Sequence, residues 1–239
     1  MKTKTGIRNN NKRNTFLKNN FLELFISIPK TLFFNFKLLP IKYAIRIPCI
    51  VSYKVKLKGI NRNNFIFEKL PSRFGSIRIG FGKSASGERE SKKGLISIAN
   101  GKIIIKDVIG LSQGCVIVVN NSNLYLGKNF KCNYSTTIVS TNSDIKFGDD
   151  VVCGWNVTIR NIDGHFIIDK GKVKQNNSPI KIGDHSWICA KSTILKGVTL
   201  GENNVVAYGS LLTKATGENN VLYGGVPASI IKKDINWKE

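Results

Sequence analysis

The chain is poor in acidic residues, in histidine and in methionine, and it has no long apolar run. Its 239 residues hold 15 Asp and Glu against 37 Lys and Arg, with two His and one Met. The most apolar stretch, residues 21–51, is interrupted by charged residues and prolines, so it lacks the roughly 18 uninterrupted apolar residues that a membrane-spanning helix needs. The first twenty residues are polar and basic and show no secretory signal. We therefore expect a cytoplasmic protein.

The cysteines form no CxxC pair, and their number is odd. This pattern argues against a disulfide scaffold and against a zinc cluster, and it is typical of a reducing compartment. The five positions are Cys49, Cys115, Cys132, Cys153 and Cys189.

The excess of positive charge is concentrated in the N-terminal part. Residues 1–65 hold fourteen Lys and Arg against the single acid Glu23, while the whole chain has a formal charge of +22. A nucleic acid, an anionic membrane or a phosphate-bearing small molecule would each explain it. Coding bias and solubility are a further explanation. No nucleic-acid partner is predicted, because no helix-turn-helix, zinc-finger or RNA-recognition signature is present.

The N-terminal third divides into two parts. Residues 1–20 are predicted to be a disordered basic tail, since they have few apolar anchors. Residues 21–75 form a basic and aromatic extension, in which residues 21–53 predict two short helices broken at the prolines, each with one apolar and one basic face. Such helices can cover the open end of a repeat domain or lie in a membrane interface, and the sequence leaves both readings open.

The stretch from Pro179 to Leu212 repeats every six residues, which fits neither a helix nor a simple alternating strand. If each unit is one short strand and a bend, three units close one triangular coil, and stacked coils place the aliphatic side chains in the interior. Glycines follow two of the marked positions, eighteen residues apart, at Gly183 and Gly201. The marked positions are Ile182, Ile188, Ile194, Leu200, Val206 and Leu212.

The same spacing reaches back to Leu126 with two interruptions. A nine-residue step between Ile138 and Phe147 indicates one unit plus a three-residue insertion at a corner. A gap of 23 residues after Ile159 indicates a long insertion, and insertions in repeat proteins are surface loops that often carry function. We predict a β-helix domain over residues 76–212, with this loop at 160–179, and a C-terminal segment over 213–239.

Three motifs, IGDHSWI, GVTLGENNVVAYGSLLTK and GGVPASIIKK, resemble the C-terminal signature of the hexapeptide-repeat acyltransferases. The resemblance covers residues 126–233 and is nearest to the galactoside and maltose acetyltransferase branch. The N-terminal extension is similar to that of bacterial surface-polysaccharide O-acetyltransferases. The resemblance implies an all-β fold, a left-handed parallel β-helix of hexapeptide repeats. It also implies a homotrimer whose active sites lie between subunits.

The activity that the resemblance implies is transfer of an acetyl group from acetyl-coenzyme A to a sugar hydroxyl of a capsule, an O-antigen or their precursor. His165 in NIDGH matches the catalytic base of the family, and imidazole suits this role because its pKa lies near the working pH. Asp163 is the expected orienting acid, with Asn161 as the alternative. Asp163 could equally bind the acceptor or be a turn residue before Gly164.

The resemblance also implies which residues bind coenzyme A and which bind the sugar. Asn133 and Asn156 match acceptor positions, although both could be turn residues. Trp187 and Cys189 are interpreted as packing residues. Ser229 stands where relatives can carry an arginine, for which Lys233 would compensate. The residues expected to bind coenzyme A are Ala190, Tyr208, Ser210, Thr213, Lys214 and Lys232.

Zinc chemistry is not expected, and the sequence leaves two other functions open. The same fold also hosts zinc enzymes that use three histidines per site, and this chain has only His165 and His185, so no metal is predicted. An N-acetyltransferase acting on an amino sugar is the nearest alternative. A non-catalytic β-helix that binds a membrane or a polyanion through its basic N-terminus is the alternative from another class.

Overall fold

The computed structural model describes residues 20–82, 92–214 and 217–238. The predicted tail over residues 1–20 lies outside these residues except for Asn20. The described part begins with helices α1 (Phe21–Ile26), α2 (Ile28–Leu38) and α3 (Ile41–Ala44). The structure therefore has three helices where the sequence predicted two. The first break falls at Ser27, because Pro29 occupies the first turn of α2, where a missing N–H costs nothing.

Three sheets, named A, B and C, contain all but two of the strands that the structure describes. Sheet A holds β1 (Cys49–Val51), β4 (Ile77–Ile79), β7 (Ile109–Leu111), β10 (Phe130–Cys132), β13 (Val152–Cys153), β18 (Trp187–Ile188), β21 (Val205–Val206), β23 (Leu222–Gly225) and β24 (Ala228–Lys232). Sheet B holds β2 (Val55–Lys58), β5 (Gly94–Ala99), β8 (Val116–Asn120), β11 (Thr137–Thr141), β14 (Thr158–Arg160), β19 (Thr193–Ile194) and β22 (Leu211–Leu212). Sheet C holds β3 (Phe65–Phe67), β6 (Lys102–Ile105), β9 (Asn123–Leu126), β12 (Ile145–Phe147), β17 (Ile180–Ile182) and β20 (Thr199–Leu200).

The chain runs from A to B to C in each coil, and each strand pairs in parallel with its counterpart one coil further on. Residues eighteen apart therefore stack, as Ile182 does on Leu200, Ile188 on Val206 and Ile194 on Leu212. All six of these side chains are buried. The six-residue spacing thus distributes the core over three sheets, and the architecture is a parallel β-helix.

The corner between sheets C and A carries a column of glycines, because neighbouring coils are only about 4.8 Å apart. A Cβ built on Gly183 would lie 2.5 Å from the carbonyl carbon of Gly201. A Cβ on Gly127 would lie 2.0 Å from the carbonyl oxygen of Gly148. The obstacle is backbone in both cases, so a side chain cannot be accommodated by a rotamer change.

The two predicted interruptions of the repeat have different origins. The nine-residue step comes from a longer strand, β11, which spans five residues where the later strands of sheet B span two or three. It is therefore not a corner insertion. The long insertion is a loop between β14 and β17, and it contains the antiparallel hairpin of β15 (Ile168–Asp169) and β16 (Lys172–Val173).

The β-helix begins earlier than residue 76, since β1, β2 and β3 already pair with the next coil. Helix α2 packs against this first coil. The buried side chain of Asn35 donates to the carbonyl of Cys49 at 2.7 Å and accepts from its N–H at 3.1 Å. The Phe34 and Phe65 rings meet edge to face at 5.4 Å between centroids. Helix α2 therefore covers the open end of the stack, as the capping reading expects.

The C-terminal segment closes sheet A with the antiparallel pair β23 and β24. Among the described residues, no helix is long and apolar enough to cross a bilayer.

Candidate active site

The corner between sheets A and B, called here the AB edge, gathers five of the predicted site residues. Its turns stack directly: the N–H of Asn156 donates to the Tyr134 carbonyl at 2.8 Å, and that of Gly209 to the Ala190 carbonyl at 3.0 Å. Four such turns, residues 133–136, 154–157, 189–192 and 207–210, lie one above another. The residues brought together are Asn133, Asn156, Ala190, Tyr208 and Ser210.

Tyr208 is the prominent exposed side chain of this edge, at 58% exposure. Its ring meets the Trp155 ring edge to face at 6.5 Å, and the Lys191 ammonium lies 5.7 Å from its centroid. Trp155 and Lys191 were not singled out in the sequence. The repeat could have identified both, since they occupy turns that stack with the turn of Tyr208. Together the three side chains form an aromatic and cationic surface.

Ala190 and Ser210 are buried rather than exposed. Ala190 is 4% exposed, and its backbone packs against Gly154, where a Cβ would meet it at 2.5 Å. Within one chain its methyl therefore cannot face coenzyme A, and only its backbone is available at the edge. The Ser210 hydroxyl is buried without a hydrogen-bond partner. An unsatisfied buried hydroxyl is costly, and this oxygen has almost no accessible surface, so within one chain it does not face the solvent at the edge.

The two asparagines predicted to bind the acceptor differ in their structural setting. Asn156 has a φ of 54°, and Ser135, Lys191 and Gly209 at the same turn position also have positive φ. The left-handed backbone of the turn therefore explains Asn156 without a ligand. Asn133 is exposed and lines a groove of about 360 Å³ on the outer face of sheet A.

The second cluster lies at the corner between sheets B and C, called here the BC edge. The loop with His165 leaves this edge after β14, while Thr213 and Lys214 follow β22 at the same corner. His165 is exposed, and no described residue hydrogen-bonds its ring. The hairpin beyond it exposes apolar side chains, with Phe166 at 66% and Ile168 at 69%.

The two residues predicted to orient His165 make other contacts. The Asp163 carboxylate pairs with the Lys196 ammonium, which also donates to the Gln175 carbonyl at 2.8 Å. Asn161 is fully buried and accepts from the N–H of Thr141 at 2.8 Å. Asp163 thus anchors the loop to the next coil, and Asn161 joins two coils. Within one chain neither orients the imidazole, which corrects that expectation.

The other histidine is structural. The His185 ring stacks on Trp237 at 4.4 Å between centroids with planes 9° apart, and its Nδ1 lies 3.1 Å from Oδ1 of Asn203. Trp237 also lies 5.8 Å from Trp187, consistent with the packing role expected for Trp187. Among residues 20–82, 92–214 and 217–238, no group of three or more His, Cys, Asp or Glu could hold a metal ion.

Cys189 and Lys232 complete the predicted set. Burial raises the pKa of the Cys189 thiol to about 11, so this thiol is protonated and a weak nucleophile at neutral pH. Lys232 is exposed on β24, apart from both edges. Lys233, the expected substitute for an arginine at Ser229, pairs with Glu218 at 3.0 Å.

Comparison with known proteins agrees with this architecture. Residues 179–214 match the family model for the bacterial transferase hexapeptide (six repeats). The galactoside O-acetyltransferase of Escherichia coli is 35% identical over 116 residues, which cover 47% of this chain and 55% of that protein. YJL218W of Saccharomyces cerevisiae is 34% identical over 114 residues, with 47% and 57% covered. The chain therefore spans little more than half the length of these curated relatives.

A solved structure extends the likeness beyond the repeat. The polySia-specific acetyltransferase NeuO superposes with a TM-score of 0.54 at 22% identity, over 79% of this chain and 89% of NeuO. The resemblance to hexapeptide-repeat proteins and the predicted left-handed parallel β-helix are thereby confirmed.

Proposed function

We propose that the protein is an acetyl-coenzyme A-dependent O-acetyltransferase that modifies a sugar hydroxyl of a bacterial surface polysaccharide or its precursor. The observation that carries this proposal is the position of His165. It is an exposed imidazole in the one long loop of the described repeat, whereas His185 is held in a stack. The 35% identity to a galactoside O-acetyltransferase supports a sugar acceptor.

The chemistry required of the chain is modest, because the thioester of acetyl-coenzyme A is already an activated acyl donor. His165 takes the proton of the attacking sugar hydroxyl as general base, and positioning of the two substrates supplies much of the rest. Transfer is direct. Cys189 takes no part, because its raised pKa keeps the thiol protonated.

The donor positions fit a nucleotide with several phosphates. Lys191 at the AB edge and Lys214 at the BC edge are exposed cations, and ammonium groups pair well with phosphate oxygens. Tyr208 offers an exposed aromatic face, and the Ser210 hydroxyl still lacks a hydrogen-bond partner. We propose that these residues hold coenzyme A, together with Thr213 and the backbone at Ala190. Asn133 is proposed to contact the acceptor.

We propose that the working unit is a homotrimer with shared active sites. The AB and BC edges lie at opposite ends of the strands of sheet B, so they are separated by about 13 Å, the length of four extended residues. His165 and Tyr208 therefore leave the coil at different edges, and we propose that the His165 of one chain meets the Tyr208 edge of a neighbouring chain. The exposed apolar side chains of the hairpin after His165 fit a contact with that neighbour.

The remaining assignments follow from the proposed acceptor. Lipid-linked precursors of surface polysaccharides lie on the inner face of the membrane, and we place the reaction there, in the cytoplasm. The domain division that we propose is a capping region from residue 20 to about residue 48, the β-helix from Cys49 to Leu212 with its loop at 161–179, and a C-terminal segment from residue 213.

A coupled assay of thiol release from acetyl-coenzyme A tests the proposal. The protein is offered sugars that carry only hydroxyls and amino sugars of matched ring structure. We expect turnover with a hydroxyl acceptor and a drop in kcat of about 10²- to 10⁴-fold for His165→Ala, the range typical of a lost general base. His185→Ala is the matched control and is expected to retain activity.

The contradicting outcomes are distinct. Undiminished turnover by His165→Ala would exclude the proposed base. Turnover with the amino sugar alone would make the protein an N-acetyltransferase. Absence of donor binding by calorimetry would favour a non-catalytic β-helix.

A further inference from the structure

Helix α2 is apolar on both of its sides, although only one side meets the β-helix. Its inner side buries Thr31, Phe34, Asn35 and Leu38. Its outer side and that of α1 carry exposed large side chains, and this set is called here the outer helical face. A helix that covers a core normally shows polar residues on its far side, so this face is made for contact with something apolar. The face consists of Phe21, Phe25, Ile28, Leu32, Phe33 and Phe36, at 73%, 63%, 46%, 37%, 62% and 45% exposure.

The outer helical face borders an apolar groove between the helices and the first coil. Ile28, Leu32 and Phe36 follow one another at intervals of four residues, so they form one row along α2. Phe21, Phe25, Ile28 and Leu32 line an apolar groove of about 280 Å³ together with Phe74. A groove of this size accepts part of a hydrocarbon chain.

The charges around this face are of one sign. Lys37, Lys42 and Arg46 are exposed beside it, and the Lys37 ammonium lies 5.3 Å above the Phe33 ring. The single acid among residues 1–52 is Glu23, and it is turned inward. Its carboxylate accepts from the Ser52 hydroxyl at 2.6 Å and from Gln113 at 2.9 Å, with 13% of the side chain exposed.

We propose that the outer helical face docks on an anionic lipid membrane. Apolar side chains would enter the interface while Lys37, Lys42 and Arg46 meet acidic headgroups, which is the arrangement of interfacial amphipathic helices. The face caps the end of the β-helix, whereas the AB and BC edges lie along its sides. Docking therefore leaves the proposed active site accessible. The inference is independent of the proposed reaction.

A second copy of the chain fits this face less well than a membrane does. In a two-fold symmetric contact each patch meets itself, so the same cations would face one another. No exposed acid lies among residues 20–52 to offset that repulsion, because Glu23 is turned inward. An anionic bilayer instead supplies both the apolar phase and the opposite charge.

Sedimentation with vesicles of two compositions tests the proposal on the full chain. We expect binding to vesicles that contain phosphatidylglycerol, little binding to pure phosphatidylcholine, and weakening as salt is raised. Phe33→Ser/Phe36→Ser should reduce the partition coefficient at least tenfold. Lys37→Glu/Lys42→Glu should reduce it by about fivefold or more for each cation, from the usual contribution of a basic residue at an anionic surface.

The controls are matched in type. Lys102→Glu/Lys181→Glu changes two exposed lysines of sheet C, and Ile231→Ser changes an exposed aliphatic on β24. Both should bind like the unmodified protein. Thermal unfolding of every variant reports whether the fold is retained, and the changed side chains are exposed, so we expect unchanged midpoints. Thiol release with a soluble acceptor separately reports the proposed function.

Four outcomes would overturn the proposal. The unmodified protein fails to sediment with either vesicle, or the control variants lose as much binding as the face variants. In the third outcome, Phe33→Ser/Phe36→Ser dissociates the oligomer in analytical ultracentrifugation without changing vesicle binding, which would make the face an interface between copies. Loss of binding on removal of residues 1–19, with no effect of the face variants, would equally assign the contact to another segment.

Discussion

Single residues at the corners of the coils take their roles from backbone geometry as much as from their side-chain chemistry. At the corner between sheets C and A, four stacked turn residues have positive φ: Asn129, Asp150, His185 and Asn203. His185 is therefore one of a column of turn residues, and its stacking on Trp237 follows from that place. His165 lies outside any such column. The same residue type thus has a structural role in one place and a proposed catalytic role in the other.

The cysteine nearest the proposed donor site permits a prediction about pH. Because burial raises the pKa of Cys189 to about 11, its neutral thiol persists well above pH 8. The rate of alkylation by iodoacetamide should therefore rise about tenfold per pH unit from pH 7 to pH 10, whereas a free thiol with a pKa near 8.5 levels off above pH 9. Mass spectrometry of the peptide that contains Cys189 measures the rate.

Cys153 is the internal control for that experiment. It is fully buried, so it should remain unmodified until the protein unfolds. A plateau in the Cys189 rate below pH 9 would contradict the raised pKa.

At the scale of the elements, the β-helix is held together by repeated short contacts between coils. The inward aliphatics supply the core, and the corners allow the coils to approach closely enough for the ladders to form. Helix α2 adds a hydrogen-bonded cap, in which Asn35 satisfies both backbone groups of Cys49. An edge without such a cover would leave unpaired backbone groups and a template for aggregation.

The glycine column gives a stability prediction with a matched control. Gly183→Ala places a Cβ 2.5 Å from the backbone of the next coil, so the coils must separate locally. We expect a loss of about 3 kcal/mol in the free energy of unfolding, the upper range for overpacking. Denaturant unfolding followed by circular dichroism measures the change.

Gly110→Ala is the control, because its added Cβ would meet only the Lys131 side chain at 4.0 Å, an ordinary contact. It should change the free energy of unfolding by no more than about 0.5 kcal/mol. Equal effects of the two substitutions would contradict the proposed role of the close approach.

At the scale of the whole molecule, the two clusters of predicted site residues are divided between the AB and BC edges. If the site is shared as proposed, it is completed by a second copy, and activity is expected to depend on assembly. Asp163 and Asn161 are both engaged within the chain and leave the imidazole without an orienting partner. In the proposed trimer, that partner would come from the neighbouring chain.

Subunit mixing tests this arrangement. His165→Ala inactivates the BC edge, and Lys191→Glu/Tyr208→Ala disables the AB edge. Each variant alone should be nearly inactive, but co-refolding the two in equal amounts should restore about one quarter of the unmodified activity, because one site in four then combines two intact edges. Thiol release with acetyl-coenzyme A is the readout.

Mixing folded trimers without co-refolding is the control and should restore nothing. Absence of recovery after co-refolding, with trimers present by light scattering, would indicate that each site lies within one chain.

The β-helix and its core could be predicted from the sequence, because the six-residue spacing is a property of local strand and corner geometry. Ile182, Leu200 and their equivalents can be assigned to the interior without coordinates. The gap of 23 residues after Ile159 likewise indicated the long loop, and the family resemblance pointed to His165 within it. The cap was one of two open readings, since an amphipathic helix does not specify which apolar surface it covers.

The tertiary structure is needed to see which residues share an edge and which side chains are exposed for contact with a ligand. The place of β1 to β3 in the first coil, the longer strand β11 and the salt bridge of Asp163 depend on contacts between residues far apart in the chain. Ala190 is buried for the same reason, since the neighbouring coil covers it. The period of six fixes the order of the corners, but the stacking of coils decides what each corner residue touches.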